Sequence, residues 1–278
     1  MADKLAFTRR TVTNAGLNLD TRDYGGDGPA LVMTHGLGGS QTVLRKLVPL
    51  LAPHFRVITH DTRGHGASDV GPWTLDAAVE DVAAIVESYD VPHAAVAGHS
   101  LGGMVALLYG HQHPETIGTI NYDGWGPGSK QRLVGIPDAE AEAYLAMAYS
   151  GEPMTKPIAL LFAFLELSTK GKARGAMRRD VVRSLSGVDF VALHESSPVP
   201  SLAFNCTGPA RGLAALLMSG TGDIFSAYRA SLTRDLSDAA VANPLLTVVE
   251  LADSDHGLIL SHAQQCADAT KTFLGVNA

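Results

Sequence analysis

The sequence predicts an α/β fold built on a mostly parallel sheet, and three observations support it. Four short apolar runs recur through the first half of the chain: "ALVMTHG" (Ala30–Gly36), "RVITHD" (Arg56–Asp61), "AAVAGHS" (Ala94–Ser100) and "GTINYDG" (Gly118–Gly124). Stretches with helical spacing separate them. The rhythm returns near the end, in "GLAALLMSG" (Gly212–Gly220), "LLTVVEL" (Leu245–Leu251) and a periodic stretch from Leu258 to Phe273. Buried strands alternating with helices imply a parallel sheet covered on both faces, with right-handed crossovers.

Each element has its own local signal. Phe7 to Tyr24 alternates loosely and breaks at Gly25-Gly26-Asp27-Gly28-Pro29, which reads as two antiparallel strands and a turn. Val43 to Leu51 carries Leu44, Leu47, Val48 and Leu51 on one helical face. Thr74 to Tyr89 does the same with Leu75, Ala78, Val82, Ile85 and Val86, and Leu101 to His113 closes at Pro114. The middle differs. Pro127 to Gly208 shows no good strand; helical patterns lie around Ala139–Tyr149, Pro157–Leu167 and Arg174–Leu185, followed by a proline- and serine-rich link at Ser196–Ser201. It reads as a helical insertion between two strands of one sheet. The chain then divides into core (1–126), insertion (127–208) and core again (209–278).

Composition narrows the function. The 278 residues are 46% hydrophobic and 18% charged, with a net charge of −7 spread along the chain. With no lysine- or arginine-rich block, nucleic acid and anionic membrane surfaces are not expected partners; a small-molecule substrate is. The most apolar window, Ile158 to Leu165, falls short of the ~20 residues a bilayer-spanning helix needs. The two cysteines, Cys206 and Cys266, share no metal-type spacing and are expected to be reduced thiols. The first residues, Met1-Ala2-Asp3-Lys4-Leu5, lack the apolar core of a secretory signal, so a cytoplasmic location is the expectation.

The chemistry centres on Gly98-His99-Ser100-Leu101-Gly102-Gly103, a junction between a strand and a helix. Gly-x-Ser-x-Gly alone is weak evidence; its position between strand and helix gives it value. Ser100 reads either as a nucleophile lifted over the carboxyl ends of the strands or as a helix-capping serine at a turn. A serine hydroxyl at neutral pH needs a base and an oriented third group. Of eleven histidines, His256 is best placed, after one strand and before the closing helix. His99 adjoins the serine, so its side chain must diverge from it. His35, His60 and His65 read as loop hydrogen-bonding or packing groups. For the acid, Asp223 in "LLMSGTGD" is favoured, with Asp123 in "NYDG" as its rival one strand earlier. The amides of Leu37, in the glycine loop His35–Ser40, and of Leu101, at a helix N-terminus, are the candidate oxyanion donors. Met147, Phe162 and Phe164 are candidate substrate contacts in the insertion, and packing of the insertion onto the core is the plainer reading of such apolar residues.

These segments together resemble the α/β-hydrolase superfamily. The resemblance rests on His35-Gly36-Leu37-Gly38-Gly39, "DTRGHGAS" (Asp61–Ser68), "GHSLGG" (Gly98–Gly103), "GTGD" (Gly220–Asp223) and "DHG" (Asp255–Gly257), in that order along nearly the whole chain. It implies an eight-stranded, mostly parallel sheet with a helical cap inserted after the sixth strand. It also implies Ser100 as nucleophile, Asp223 as acid, His256 as base, Leu37 and Leu101 as oxyanion-hole amides, and a structural turn at Asp61–Ser68. Epoxide hydrolases and haloalkane dehalogenases of the superfamily carry Asp at the nucleophile position; Ser implies acyl transfer. The expectation is a serine hydrolase, without metal or organic cofactor, acting on an ester, lactone or thioester of a small to medium lipophilic molecule. Hydrolysis of a carbon–carbon bond in a diketone-like substrate, a cofactor-free perhydrolase or haloperoxidase-type activity, and a non-catalytic ligand receptor on the same fold are the alternatives.

Overall fold

The computed structural model describes residues 5–126, 133–150, 169–209 and 222–276. Eight strands form one sheet in the order β1-β2-β4-β3-β5-β6-β7-β8. They are β1 Thr8–Asn14, β2 Leu17–Asp23, β3 Ala30–Thr34, β4 Arg56–His60, β5 Ala95–His99, β6 Thr119–Tyr122, β7 Ser201–Cys206 and β8 Leu246–Leu251. The opening hairpin joins the sheet antiparallel, and every pairing from β4 onward is parallel.

Strand alternation explains the two layers that cover the sheet. Leu31 and Met33 of β3 and Ala95 and Ala97 of β5 face one side; Val32 and Val96, between them in sequence, face the other. On the first side they meet Leu44, Leu47 and α1 (Val48–Leu51), together with Cys266 and Ala267 of the C-terminal helix. On the second they meet Val82 and Ile85 of α2 (Leu75–Ser88) and Val105 and Tyr109 of α3 (Leu101–Gln112). Each large apolar side chain buried this way contributes roughly 1.5–3 kcal/mol. α2 starts where it does because Thr74 caps it, its hydroxyl accepting the Ala77 N–H at 3.1 Å.

Between β6 and β7 the described residues hold α4 (Asp138–Ser150), α5 (Thr169–Ser184) and α6 (Phe190–Glu195). After β7 comes α7 (Gly222–Ala242), and the chain closes with α8 (Leu258–Ser261) and α9 (Ala263–Phe273). No described helix is long and apolar enough to cross a membrane.

One strand departs from the sequence reading. Ser201–Cys206, assigned to the end of the helical insertion and its link, is the fully buried seventh strand, paired with β6 and β8. Polar residues hide it: Ser201 and Asn205 are buried among its apolar neighbours, and each is satisfied by a side chain, His194 and Thr233 respectively. Hydropathy alone does not reveal such a strand. The strand expected at Gly212–Gly220 and the helix expected at Pro157–Leu167 lie outside the described residues.

Candidate active site

Parallel pairing assembles the site. His99 of β5 lies opposite Tyr122 of β6, so Ser100 and Asp123, the residues that follow, leave neighbouring strands at the same carboxyl edge. β7 and β8 end along that edge with Cys206 opposite Leu251, and His256 stands five residues beyond Leu251, before α8.

Ser100 occupies a strained turn, with φ 56° and ψ −121°. A non-glycine residue in such a conformation costs on the order of 1–3 kcal/mol and persists only where its surroundings impose it. Here the Ser100 N–H extends the strand ladder to the Tyr122 carbonyl at 3.0 Å, and the next residue already begins α3. The serine hydroxyl makes no capping bond to that helix. The capping alternative therefore leaves no trace in the geometry. Strand and helix approach too closely for side chains: a Cβ at Gly98 would sit 2.1 Å from the Gly102 carbonyl carbon, and one at Gly102 would sit 2.5 Å from the Thr34 carbonyl oxygen. Neither obstruction is the end of a flexible side chain. Gly98→Ala is expected to destabilise the fold by about 3 kcal/mol, the upper part of the usual overpacking range, measured as a lowered urea midpoint.

His256 Nδ1 lies 2.8 Å from Asp123 Oδ2. Asp123 is fully buried, whereas the His256 side chain is 46% exposed. The Asp123 carboxylate also receives a two-pronged contact from Arg229 of α7, Nη1 to Oδ1 at 2.7 Å and Nη2 to Oδ2 at 2.9 Å, and Oδ1 accepts the Cys206 N–H at 3.1 Å. Burial opposes the charge on Asp123. The Arg229 guanidinium and the His256 hydrogen bond more than offset it and hold the carboxyl well below the usual carboxylate range. An ionised carboxylate can only accept, so the proton of His256 sits on Nδ1 and leaves Nε2 able to take one.

Asp223, the favoured acid in the sequence, is placed in the first turn of α7, and its side chain lies outside the described residues. Among the described residues the penultimate strand is Ser201–Cys206, and the carboxylate on His256 belongs to Asp123, the rival.

His99 diverges from the serine as expected, but it does not leave the site. Its Nε2 is 2.7 Å from the His256 carbonyl oxygen, and the two rings lie 4.7 Å apart. Burial pushes its pKa down to about 4, so the neutral ring donates from Nε2 and pins the loop that carries His256. The sequence offered no sign of this contact between residues 157 positions apart.

The loop after β3 abuts Ser100: a Cβ at Gly36 would lie 2.9 Å from Ser100 Cβ. The N–H groups of Leu37 and of Leu101, the first residue of α3, have no acceptor among the described residues. Met147 is half-buried on α4; Phe162 and Phe164 lie outside the described residues. Among the described residues no group of three or more His, Cys, Asp or Glu side chains is arranged to hold a metal ion.

Comparison with known proteins agrees with this architecture. Residues 29–120 match the family model for the alpha/beta hydrolase fold. An uncharacterised Mycobacterium tuberculosis protein is 31% identical over 130 residues, which is 44% of this chain and 38% of that one, so the match spans well under half the length of that relative. A pimeloyl-[acyl-carrier protein] methyl ester esterase of Chromobacterium violaceum is 29% identical over 91% of this chain and 97% of its own. The crystal structure of E-2-(acetamidomethylene)succinate hydrolase superposes with a TM-score of 0.67 at 20% identity, covering 97% of this chain and all of that one. The eight-stranded sheet, the strained serine between β5 and α3 and these matches together show an alpha/beta hydrolase fold, with the family model matching residues 29–120.

Proposed function

We propose that the protein is a serine hydrolase that cleaves a carboxylic ester, lactone or thioester of a small to medium lipophilic molecule, with Ser100 as nucleophile, His256 as base and Asp123 as acid. The observation that carries this reading is a strained, uncapped Ser100 at the same sheet edge as a histidine whose Nδ1 is held by a buried carboxylate. The esterase relative, similar along nearly its whole length, supports an ester among the acyl substrates.

The chemistry follows from the protonation states. His256 Nε2 takes the Ser100 proton as Oγ bonds to the substrate carbonyl carbon, and the carbonyl electron pair moves to oxygen. The Leu37 and Leu101 amides receive that oxyanion; losing one such donor typically costs about 3 kcal/mol. The pair returns, the bond to the alcohol or thiol breaks, and His256 protonates the leaving group. Water then gives a proton to His256 and attacks the acyl-enzyme, and Ser100 leaves with that proton. Asp123 remains ionised throughout and stabilises the imidazolium. Residues between β6 and β7 serve as the cap, and Met147, Phe162 and Phe164 are its candidate substrate contacts. The site needs no metal or organic cofactor for these steps, and the substrate is met in the cytoplasm.

A fluorophosphonate probe tests the reading. The expected result is a single adduct, located at Ser100 by peptide mass spectrometry, together with hydrolysis of p-nitrophenyl butyrate that the probe abolishes. Folded protein that takes no label, or takes it on another serine, overturns the reading; an unlabelled site is what a non-catalytic receptor would give.

A further inference from the structure

Two buried imidazoles lace the loop after β3 to the loop after β4. His35 Nε2 accepts the Thr62 N–H at 3.1 Å, so its own proton is on Nδ1, which donates to the Gly36 carbonyl at 2.8 Å. The Gly36 carbonyl also accepts the Gly39 N–H at 3.1 Å. His65 is bonded in the same sense. Its Nε2 accepts the Gly38 N–H at 3.0 Å, and its Nδ1–H is directed to Thr62 Oγ1 at 2.9 Å and the Arg63 carbonyl at 3.0 Å. The two rings meet edge to face at 5.1 Å. The amides on this turn are therefore engaged at Gly38 and Gly39, and the Leu37 amide between Gly36 and Gly38 has no acceptor among the described residues.

We propose that His65 is a positioning residue of the oxyanion hole: by accepting the Gly38 N–H it fixes the turn that leaves the Leu37 N–H facing no protein acceptor beside Ser100. This rests on the serine-hydrolase reading above and adds to it a residue that never touches substrate.

The arrangement requires a neutral ring, since a proton on Nε2 would oppose one N–H to another. The surroundings supply that condition. Burial is the main cause holding His65 below the usual imidazole range; the Arg63 carbonyl pulls the other way, Arg174 pushes further down, and Asp61 pulls up. Arg174 reaches the site from α5, its Nη2 donating to the Gly66 carbonyl at 2.8 Å. Across the loop, His35 is itself held neutral, at about 3, by burial and by His65. Asp61 is committed to backbone, accepting the Gln41 and Ala67 N–H groups at 2.7 and 2.8 Å, so it does not compete for the His65 ring.

The test uses the full-length protein and p-nitrophenyl butyrate at pH 8, with His65→Leu, His65→Asn and His65→Gln. Leucine removes the acceptor and asparagine is too short to reach Gly38. Glutamine offers an uncharged acceptor of similar reach. In whichever of H65L and H65N folds, kcat is expected to fall roughly 10- to 100-fold, below the 10²–10³ that deleting a donor outright costs, while KM changes less than about twofold. H65Q is expected to recover most of the lost kcat. A kcat within about twofold of wild type in H65L or H65N, a loss carried by KM, or an H65Q as impaired as H65L overturns the proposal while leaving the Ser100 reading intact. A wild-type protein that hydrolyses nothing and takes no fluorophosphonate overturns both.

Discussion

Asp123→Asn is expected to lower kcat by about 10⁴-fold with the fold retained, whereas Asp223→Asn is expected to stay within about tenfold of wild type. The tautomer of His256 decides the outcome. The Asp123 carboxylate accepts from Arg229, from the Cys206 N–H and from His256 Nδ1. An asparagine has one accepting oxygen and one donating nitrogen. Arg229 and the Cys206 amide can only donate, and both reach Oδ1, so the amide oxygen settles there. The amide nitrogen is then left facing His256 Nδ1, which must become the acceptor. The proton moves to Nε2, and the nitrogen that should receive the Ser100 proton already carries one. The imidazolium also loses its counter-charge. Steady-state hydrolysis of p-nitrophenyl butyrate measures the effect, and far-UV circular dichroism separates it from unfolding. A large loss in Asp223→Asn with none in Asp123→Asn would return the acid to α7.

The sequence singled out Ser100 and His256 but favoured Asp223 over the carboxylate that holds His256, and the reasons are physical. Ser100 announces itself locally: the crowding between β5 and α3 has to be relieved within two residues on either side, so the glycines sit in the motif itself. His256 is legible because a strand and a helix bracket it. The acid depended on knowing which strand is seventh. Ser201 and Asn205 make β7 look like a polar link, although both are buried and bonded. With β7 overlooked, the run at Gly212–Gly220 took its place and carried the acid assignment to Asp223. The residue that marks Asp123 lies across the fold: Arg229 of α7, 106 positions away. The same distance hid the His99 contact with the His256 carbonyl. The alternation of β3 to β6 with α2 and α3 depends only on local periodicity, and there the reading and the fold coincide nearly residue for residue.

Arg229 is where stability and site meet, and Arg229→Leu is expected to destabilise the protein by about 3–5 kcal/mol at pH 7, the usual cost of removing one partner from a buried ion pair. The carboxylate left behind has no exposed surface on its side chain and cannot turn to water. The pH dependence identifies the cause. In the wild type the folded-state pKa of Asp123 is depressed, so the stability it contributes is fully present above the unfolded value, about 3.9, and is lost only as pH falls through the lower folded value. Between pH 7 and pH 4.5 that contribution is flat. In Arg229→Leu the largest opposing influence on the burial penalty is gone, and the folded-state pKa rises. Proton uptake by the folded state then relieves the penalty as the solution is acidified. The stability gap between wild type and variant is therefore expected to be widest near neutrality and to narrow toward pH 4.5, measured by urea unfolding across that range. Arg229→Lys should recover only part of the gap, because an ammonium supplies the charge without the fork that meets both carboxylate oxygens. A gap that stays constant with pH would mean that the loss is one of packing around α7, and would remove the Asp123 charge as its origin.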